Sequence, residues 1–270
     1  MYHELLTARY GSGEARALYE LIMERRFGLS RTDILLGKDT TFSAKDKEEL
    51  KIIIDRVAKG EPVQYVLGSE EFCGRVFLVG PGVLIPRPET QQLVRLVEQN
   101  VAPGSTVLDI GTGSGCIAIA LALEGYKVTA FDISLEALSY ARKNAERLGA
   151  NVDFRQENIL QPEPTYECWN VIVSNPPYIC QNEAKEMDDN VLQHEPHLAL
   201  FVPDYDPLLF YRAIAENGHQ HLTEGGWLFF EINRAYPEQV REVLFQKGYE
   251  EVWVMKDEFE NNRFVCARKK

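Results

Sequence analysis

Apolar positions through the first 68 residues recur every three or four places: Leu5, Leu6, Leu18, Leu21 and Ile22, then Leu50, Ile53, Ile54 and Val57. That spacing predicts amphipathic helices. Ser30 and Ser43 stand where N-caps of following helices belong. Strand-like alternation is missing here, so the segment reads as a small helical domain without a catalytic grouping of its own. The pattern changes at Glu71. In F-C-G-R-V-F-L-V-G-P-G-V-L-I-P-R-P-E, short β-favouring runs are broken by Gly74, Gly80, Gly82, Pro86 and Pro88. This predicts a hairpin followed by a rigid connector.

Beyond Glu89, β runs and amphipathic helices alternate. T-V-L-D-I is followed by an apolar helix from Cys116, K-V-T-A-F-D-I by a helix over 134–148, then come V-D-F-R and W-N-V-I-V-S-N. A helix near 206–222, W-L-F-F-E-I, a helix near 237–247, E-V-W-V-M and R-F-V-C-A complete the chain. Such alternation predicts a doubly wound α/β fold with a mostly parallel sheet. The expected organisation is a helical domain over 1–70, a hairpin and linker over 71–88, and a catalytic domain over 89–270.

At 270 residues with 45% hydrophobic content, the chain can bury a full core. Its five cysteines are scattered, odd in number and never in a C-x-x-C pair. That argues against a disulfide framework or zinc ribbon and favours a reduced, cytoplasmic setting. The opening residues mix charged with apolar side chains, so a signal segment is not expected. No apolar run approaches the ~18 residues of a membrane span. The net charge of −12 is uneven: residues 1–80 carry 12 Lys and Arg against 13 Asp and Glu, leaving 17 against 28 for the remainder. An acidic catalytic domain without a basic tract favours a protein partner or a small cationic ligand over a nucleic-acid backbone.

The segment D-I-G-T-G-S-G-C, Asp109 to Cys116, follows one strand and opens a helix. Its glycines suit a tight turn whose backbone approaches a ligand closely. Alone it also fits a turn that merely packs helix on strand. Asp132 ends the next strand about 20 residues on, where a carboxylate holds ribose hydroxyls. The third glycine comes one place earlier than in the dinucleotide pattern, and Asp109 would repel a pyrophosphate. S-adenosylmethionine, with a ribose and a cationic amino-acid end but no phosphate, fits better than NAD. For Asn158, after V-D-F-R, two readings stand side by side: an adenine contact, or a helix or turn cap.

The stretch V-S-N-P-P-Y, Val173 to Tyr178, ends the fourth strand of this series. That strand is expected beside the first, with Asn175 at the carboxyl edge where ligands collect. The prolines fix φ and donate no amide hydrogen, so nearby carbonyls face outward as acceptors. In isolation the tripeptide serves equally as a strand terminator. Downstream of a cofactor loop it suits a planar –NH₂ group: the Asn175 side-chain oxygen and the Pro176 carbonyl hold its hydrogens, and Tyr178 packs on its face. A delocalised amide nitrogen is a poor nucleophile, so positioning carries most of the catalysis. No base need act before transfer, because the alkylated nitrogen sheds its proton readily.

These residues resemble amino-methyltransferases acting on planar nitrogen. E-P-V-Q-Y-V-L-G (61–68), the hairpin, and V-L-I-P-R-P-E-T (83–90) are similar to the PrmC/HemK family of release-factor glutamine methyltransferases over nearly the whole chain. The resemblance implies a Rossmann-like class I S-adenosylmethionine-dependent fold with a seven-stranded sheet. It further implies N5-methylation of the glutamine in the Gly-Gly-Gln loop of bacterial peptide-chain release factors. Cofactor binding then falls to Gly111, Thr112, Gly113, Ser114, Gly115, Asp132, Asn158, Ile159 and Asn175. Substrate binding falls to Asn175, Pro176, Pro177 and Tyr178, with Asn175, Pro176 and Tyr178 catalytic, and the helical domain helps hold the release factor. Related chemistries are methylation of a ribosomal protein and of DNA adenine, which would require base flipping. Gln91, where the family usually carries an acid, and Asn158, where it carries Asp, depart from the pattern. No metal is expected: His194 and His197 are three apart, but Pro196 breaks a shared helix face, and both read as loop residues. Arg87 and Glu89 either line the cofactor entrance or pair with each other.

Overall fold

The computed structural model describes Tyr2 to Lys270, and these residues form two compact units. Residues up to Ser69 together with Asp188–His194 make the first; 70–187 and 195–270 make the second.

In the first unit, α1 (Tyr2–Phe27), α2 (Arg31–Leu35), α3 (Ala44–Ala58) and α4 (Val63–Leu67) follow one another. Ser30 and Ser43 cap α2 and α3 as their positions predict, each in a reciprocal box with an aspartate three residues on, Asp33 and Asp46. α1 is interrupted at Gly11, whose φ of 73° and ψ of 169° lie outside the helical region. Leu6, Ile22, Met23, Leu50, Ile54 and Val57 meet in a closed apolar cluster. Leu5 departs from expectation and is 44% exposed. Successive helical residues point about 100° apart, and Leu5 falls outside the apolar stripe that Leu6 joins.

The predicted hairpin follows, β1 (Ser69–Phe72) and β2 (Arg75–Leu78), in the second unit from Glu70 on. Cys73 and Gly74 both have positive φ, 49° and 67°, the backbone of a two-residue hairpin turn. Then come α5 (Thr90–Asn100), β3 (Thr106–Ile110), α6 (Cys116–Leu123), β4 (Lys127–Asp132), α7 (Leu135–Leu148), β5 (Val152–Gln156) and β6 (Trp169–Ser174). Short pieces follow: β7 (Ile179–Cys180), α8 (Asp189–His194, grouped with the first unit), α9 (His197–Leu200) and β8 (Phe201–Val202). His194 and His197 therefore lie in short helices rather than in a loop. The chain ends with α10 (Leu209–His221), β9 (Leu222–Glu231), α11 (Pro237–Gln246), β10 (Tyr249–Lys256) and β11 (Asn262–Lys269).

Seven strands form one mixed sheet in the order β10-β11-β9-β6-β3-β4-β5. The pairs from β9 through β5 are parallel, and β11 runs antiparallel to both neighbours. This is the Rossmann-like arrangement with its reversed strand at one side. α5, α6 and α7 cover one face through Leu93, Val97, Ile117, Leu121 and Ala145; α10 and α11 cover the other through Tyr211, Ile214, Val240 and Leu244. α6 is apolar on every side because it is buried through most of its length. Connections leave β3 and β6 in opposite directions, so a crevice opens where those two strands end.

Candidate active site

The turn between β3 and α6 is fixed to the neighbouring strand end: the amides of Gly111 and Thr112 donate to the Phe131 carbonyl at 2.9 and 3.0 Å. Gly113 donates its amide to Asp132 Oδ2 at 2.8 Å, and Ser134 donates to Oδ1 at 2.8 Å. Burial raises the pKa of the Asp132 carboxyl, and these amides oppose the rise. Gly111, Thr112, Gly113, Ser114 and Asp132 all line one cavity at the carboxyl edge of the sheet. Gly115 does not. Its φ is +81°, and a Cβ there would stand 2.9 Å from Ile119 Cδ1 and 3.1 Å from Ala141 Cβ. It allows α6 to pack against α7.

Asp109 also differs from its expected place beside the ligand. It is wholly buried and is not part of the cavity wall. Oδ2 accepts from the Thr112 hydroxyl at 2.7 Å. Burial pushes this carboxyl up to about 7. The carboxylate presented to a ligand is that of Asp132.

β6 runs parallel to β3, as predicted, and delivers Asn175, Pro176 and Pro177 to the same cavity. The Asn175 Nδ2 group donates to Thr90 Oγ1 at 3.3 Å. Tyr178 is not in the wall: its hydroxyl donates to Glu231 Oε1 at 3.0 Å, beneath the motif. Burial, and then the Glu231 charge, raises the tyrosine pKa strongly. Asn158 and Ile159 line the cavity too, and Asn158 Oδ1 accepts the Leu160 amide at 3.1 Å. Asn158 thus closes its own turn, as the cap reading expects, and also borders the cavity.

Neither Arg87 nor Gln91 behaves as an isolated surface residue. Arg87 lines the cavity and donates to Glu195 Oε1 at 2.6 Å, so its partner is Glu195 and not Glu89. Glu195 is 4% exposed and also accepts the Ile85 amide at 3.1 Å, which holds the Pro86–Pro88 connector. Gln91 Oε1 accepts the Cys73 amide at 3.3 Å. An amide oxygen there supplies the acceptor that a carboxylate would offer.

Four residues with structural work at the site escaped sequence reasoning: Thr90, Glu195, Glu231 and Asn144. Asn144 joins β2 to the glycine turn, accepting from the Leu78 amide at 2.7 Å and donating to the Leu78 and Ser114 carbonyls at 3.0 and 2.9 Å. For Glu231 a signal existed. The apolar run W-L-F-F-E ends in an acid just as T-V-L-D and K-V-T-A-F-D do.

The cavity suits a cationic nucleoside. Ile110, Phe131, Ile159 and Ile214 give it apolar walls, Asp132 supplies an acceptor, and Arg87, the one Lys or Arg among the described lining residues, is already paired. A pyrophosphate would find no free cation there. This fold and this site define a Rossmann-like methyltransferase. A family model described as a methyltransferase domain matches residues 102–248, and one described as the PrmC N-terminal domain matches 3–68. The chain is 49% identical to the release factor glutamine methyltransferase of Bacteroides thetaiotaomicron, over 96% of this chain and 95% of that one. It is 38% identical to the protein of the same name from Flavobacterium psychrophilum, over 97% and 94%. Among solved structures, a methyltransferase from Pyrococcus furiosus matches with a TM-score of 0.56 at 20% identity, over 80% of this chain and 96% of that one, a likeness of fold. The chain belongs to the release factor glutamine methyltransferase family.

Proposed function

We propose that this protein transfers a methyl group from S-adenosylmethionine to the side-chain amide nitrogen, N5, of the glutamine in the Gly-Gly-Gln motif of peptide-chain release factors. The observation that carries the reading is that Asn175 and Pro176 share one cavity with Asp132 and the Gly111–Ser114 turn. The cofactor supplies an electrophilic methyl on a sulfonium. Asp132 binds its ribose hydroxyls, the glycine turn admits its amino-acid end, and Ile159 packs on its adenine beside Asn158. The Asn175 Oδ1 and the Pro176 carbonyl accept the two hydrogens of the glutamine carboxamide and aim its nitrogen at the methyl. A two-point grip fixes both distance and direction, and orientation of this kind lowers a barrier without any proton transfer beforehand. Tyr178 acts from below, as a prop for the Asn-Pro-Pro turn, rather than by stacking on the substrate.

A protein substrate agrees with the excess of acid over base in residues 81–270; a duplex would need a basic face. The cysteines among the described residues are all free thiols, which suits the reducing cytoplasm. Among the described residues no helix is long and apolar enough to cross a membrane. Labelled cofactor incubated separately with a release factor, its Gly-Gly-Gln→Gly-Gly-Glu variant, a ribosomal-protein mixture and DNA tests the reading. Label is expected only on the unaltered release factor, and label confined to the ribosomal proteins or DNA would overturn it.

A further inference from the structure

Asn175 must present its oxygen, not its nitrogen, to a carboxamide it is to grip, yet the two ends of an asparagine amide are nearly the same size. Something has to set its direction. Among the described residues, the polar group that meets its Nδ2 is the hydroxyl of Thr90, at 3.3 Å. Thr90 is the first residue of α5 and is buried at 2% exposure. Its hydroxyl has a single hydrogen, and that hydrogen goes to Glu231 Oε2 at 2.7 Å. With Glu231 ionised beside the Arg263 charge, the hydroxyl can only accept toward Asn175, so the atom facing it is the amide nitrogen, whichever way the amide is drawn. Glu231, at the carboxyl end of β9 and itself buried, accepts from Tyr178 through Oε1 at 3.0 Å. One carboxylate thus holds both ends of the Asn-Pro-Pro-Tyr motif, directly at Tyr178 and through Thr90 at Asn175. The positive charge of Arg263 lies close to Glu231 and Tyr178, and Arg263 is in turn paired with Asp257 at 3.2 Å.

We propose that Thr90 and Glu231 are positioning residues that set the amide direction of Asn175, so that the cavity receives a hydrogen-bond acceptor and selects a substrate bearing –NH₂ over one bearing a carboxylate. The inference rests on the reading that Asn175 grips the glutamine carboxamide. In Thr90→Val the shape is kept and the acceptor is lost, so Asn175 turns freely and offers N–H for part of the time. A glutamate side chain, which only accepts, is then less strongly refused.

The test is steady-state methylation of a release factor by wild type, Thr90→Val, Thr90→Ser and Asn175→Ala, with inhibition by the Gly-Gly-Glu release factor measured in parallel. Thr90→Val is expected to lower kcat by about 10- to 100-fold. KM for S-adenosylmethionine should stay within about twofold, and inhibition by the glutamate form should tighten relative to substrate binding; Thr90→Ser should recover most of the lost kcat. Loss of packing alone predicts neither the shift in glutamine-over-glutamate preference nor the split between kcat and KM. Thr90→Val with wild-type kcat and preference, beside an inactive Asn175→Ala, overturns the relay and leaves the function standing. A fully active Asn175→Ala overturns the reading beneath it. Should Thr90→Val not fold, the wild type decides: a nuclear Overhauser contact from the Asn175 side-chain amide hydrogens to Thr90 is expected, and an amide turned away from Thr90 sinks the proposal.

Discussion

The two strand ends that border the cavity are built by different means. At the end of β3 and β4 the site is made of main chain: the amides of Gly111, Thr112, Gly113 and Ser134 are fixed by the Phe131 carbonyl and the Asp132 carboxylate. At the end of β6 and β9 it is made of side chains: Asn175, Thr90, Glu231 and Tyr178 form a chain of hydrogen bonds buried at its Thr90–Glu231 centre. Backbone tolerates most changes of side chain unless a Cβ intrudes. A buried polar chain tolerates few, because removing one member leaves the next desolvated and unpaired. The cofactor half should therefore fail by loss of affinity and the substrate half by loss of rate.

Removing Asn175 breaks that contrast most sharply. Asn175→Ala should reduce kcat by about 10²- to 10³-fold, the usual loss for one preorganised polar contact, while calorimetry finds S-adenosylmethionine affinity within about twofold of wild type. Asp132→Ala is the converse. It deletes the acceptor we propose for the ribose and the anchor of the Gly113 amide, and should weaken cofactor binding about 10- to 100-fold, read in the same titration. Gly115→Ala tests the main-chain half without touching the cavity. The positive φ and the close approach of Ile119 and Ala141 should lower unfolding free energy by about 2–3 kcal/mol in denaturant melts.

The smallest effect concerns Asp109. Its folded carboxyl titrates near 7, against about 3.9 when unfolded, so folding favours the protonated form. That contribution is complete below about pH 4 and disappears as pH climbs to about 7. Asp109→Asn, which keeps an acceptor for Thr112, should flatten the fall in stability between pH 6 and pH 8 by about 1–2 kcal/mol. Identical pH slopes in the two proteins would show that the buried carboxyl does not titrate in this range.

What could be read in advance was whatever depends on neighbours in sequence. Ser30 and Ser43 announce their helices because the capping partner is three residues away, and G-T-G-S-G announces its turn because glycine accepts positive φ without a Cβ penalty. Strand placement was legible too, since buried β runs alternating with amphipathic helices leave few topologies; β6 lies beside β3 as expected. Partnerships across the fold were not. Thr90 meets Glu231 from 141 positions away, and Arg87 meets Glu195 from 108; no local pattern encodes either. Asp109 misled for the same reason: its sequence position at a strand end is that of a ligand contact, and only the packing of the turn over it reveals full burial. Tyr178, adjacent to the grip in sequence, points its hydroxyl to the underside of the motif because Glu231 waits there.

Asn144 couples parts of the molecule that would otherwise loosen independently. Its amide is shared between β2 and the Ser114 carbonyl, so opening the hairpin frees a hydrogen bond in the cofactor turn, and ordering that turn resists the opening. Cofactor in the cavity should accordingly slow deuterium uptake at Leu78, a residue outside the cavity wall, and make the hairpin a remote gauge of occupancy.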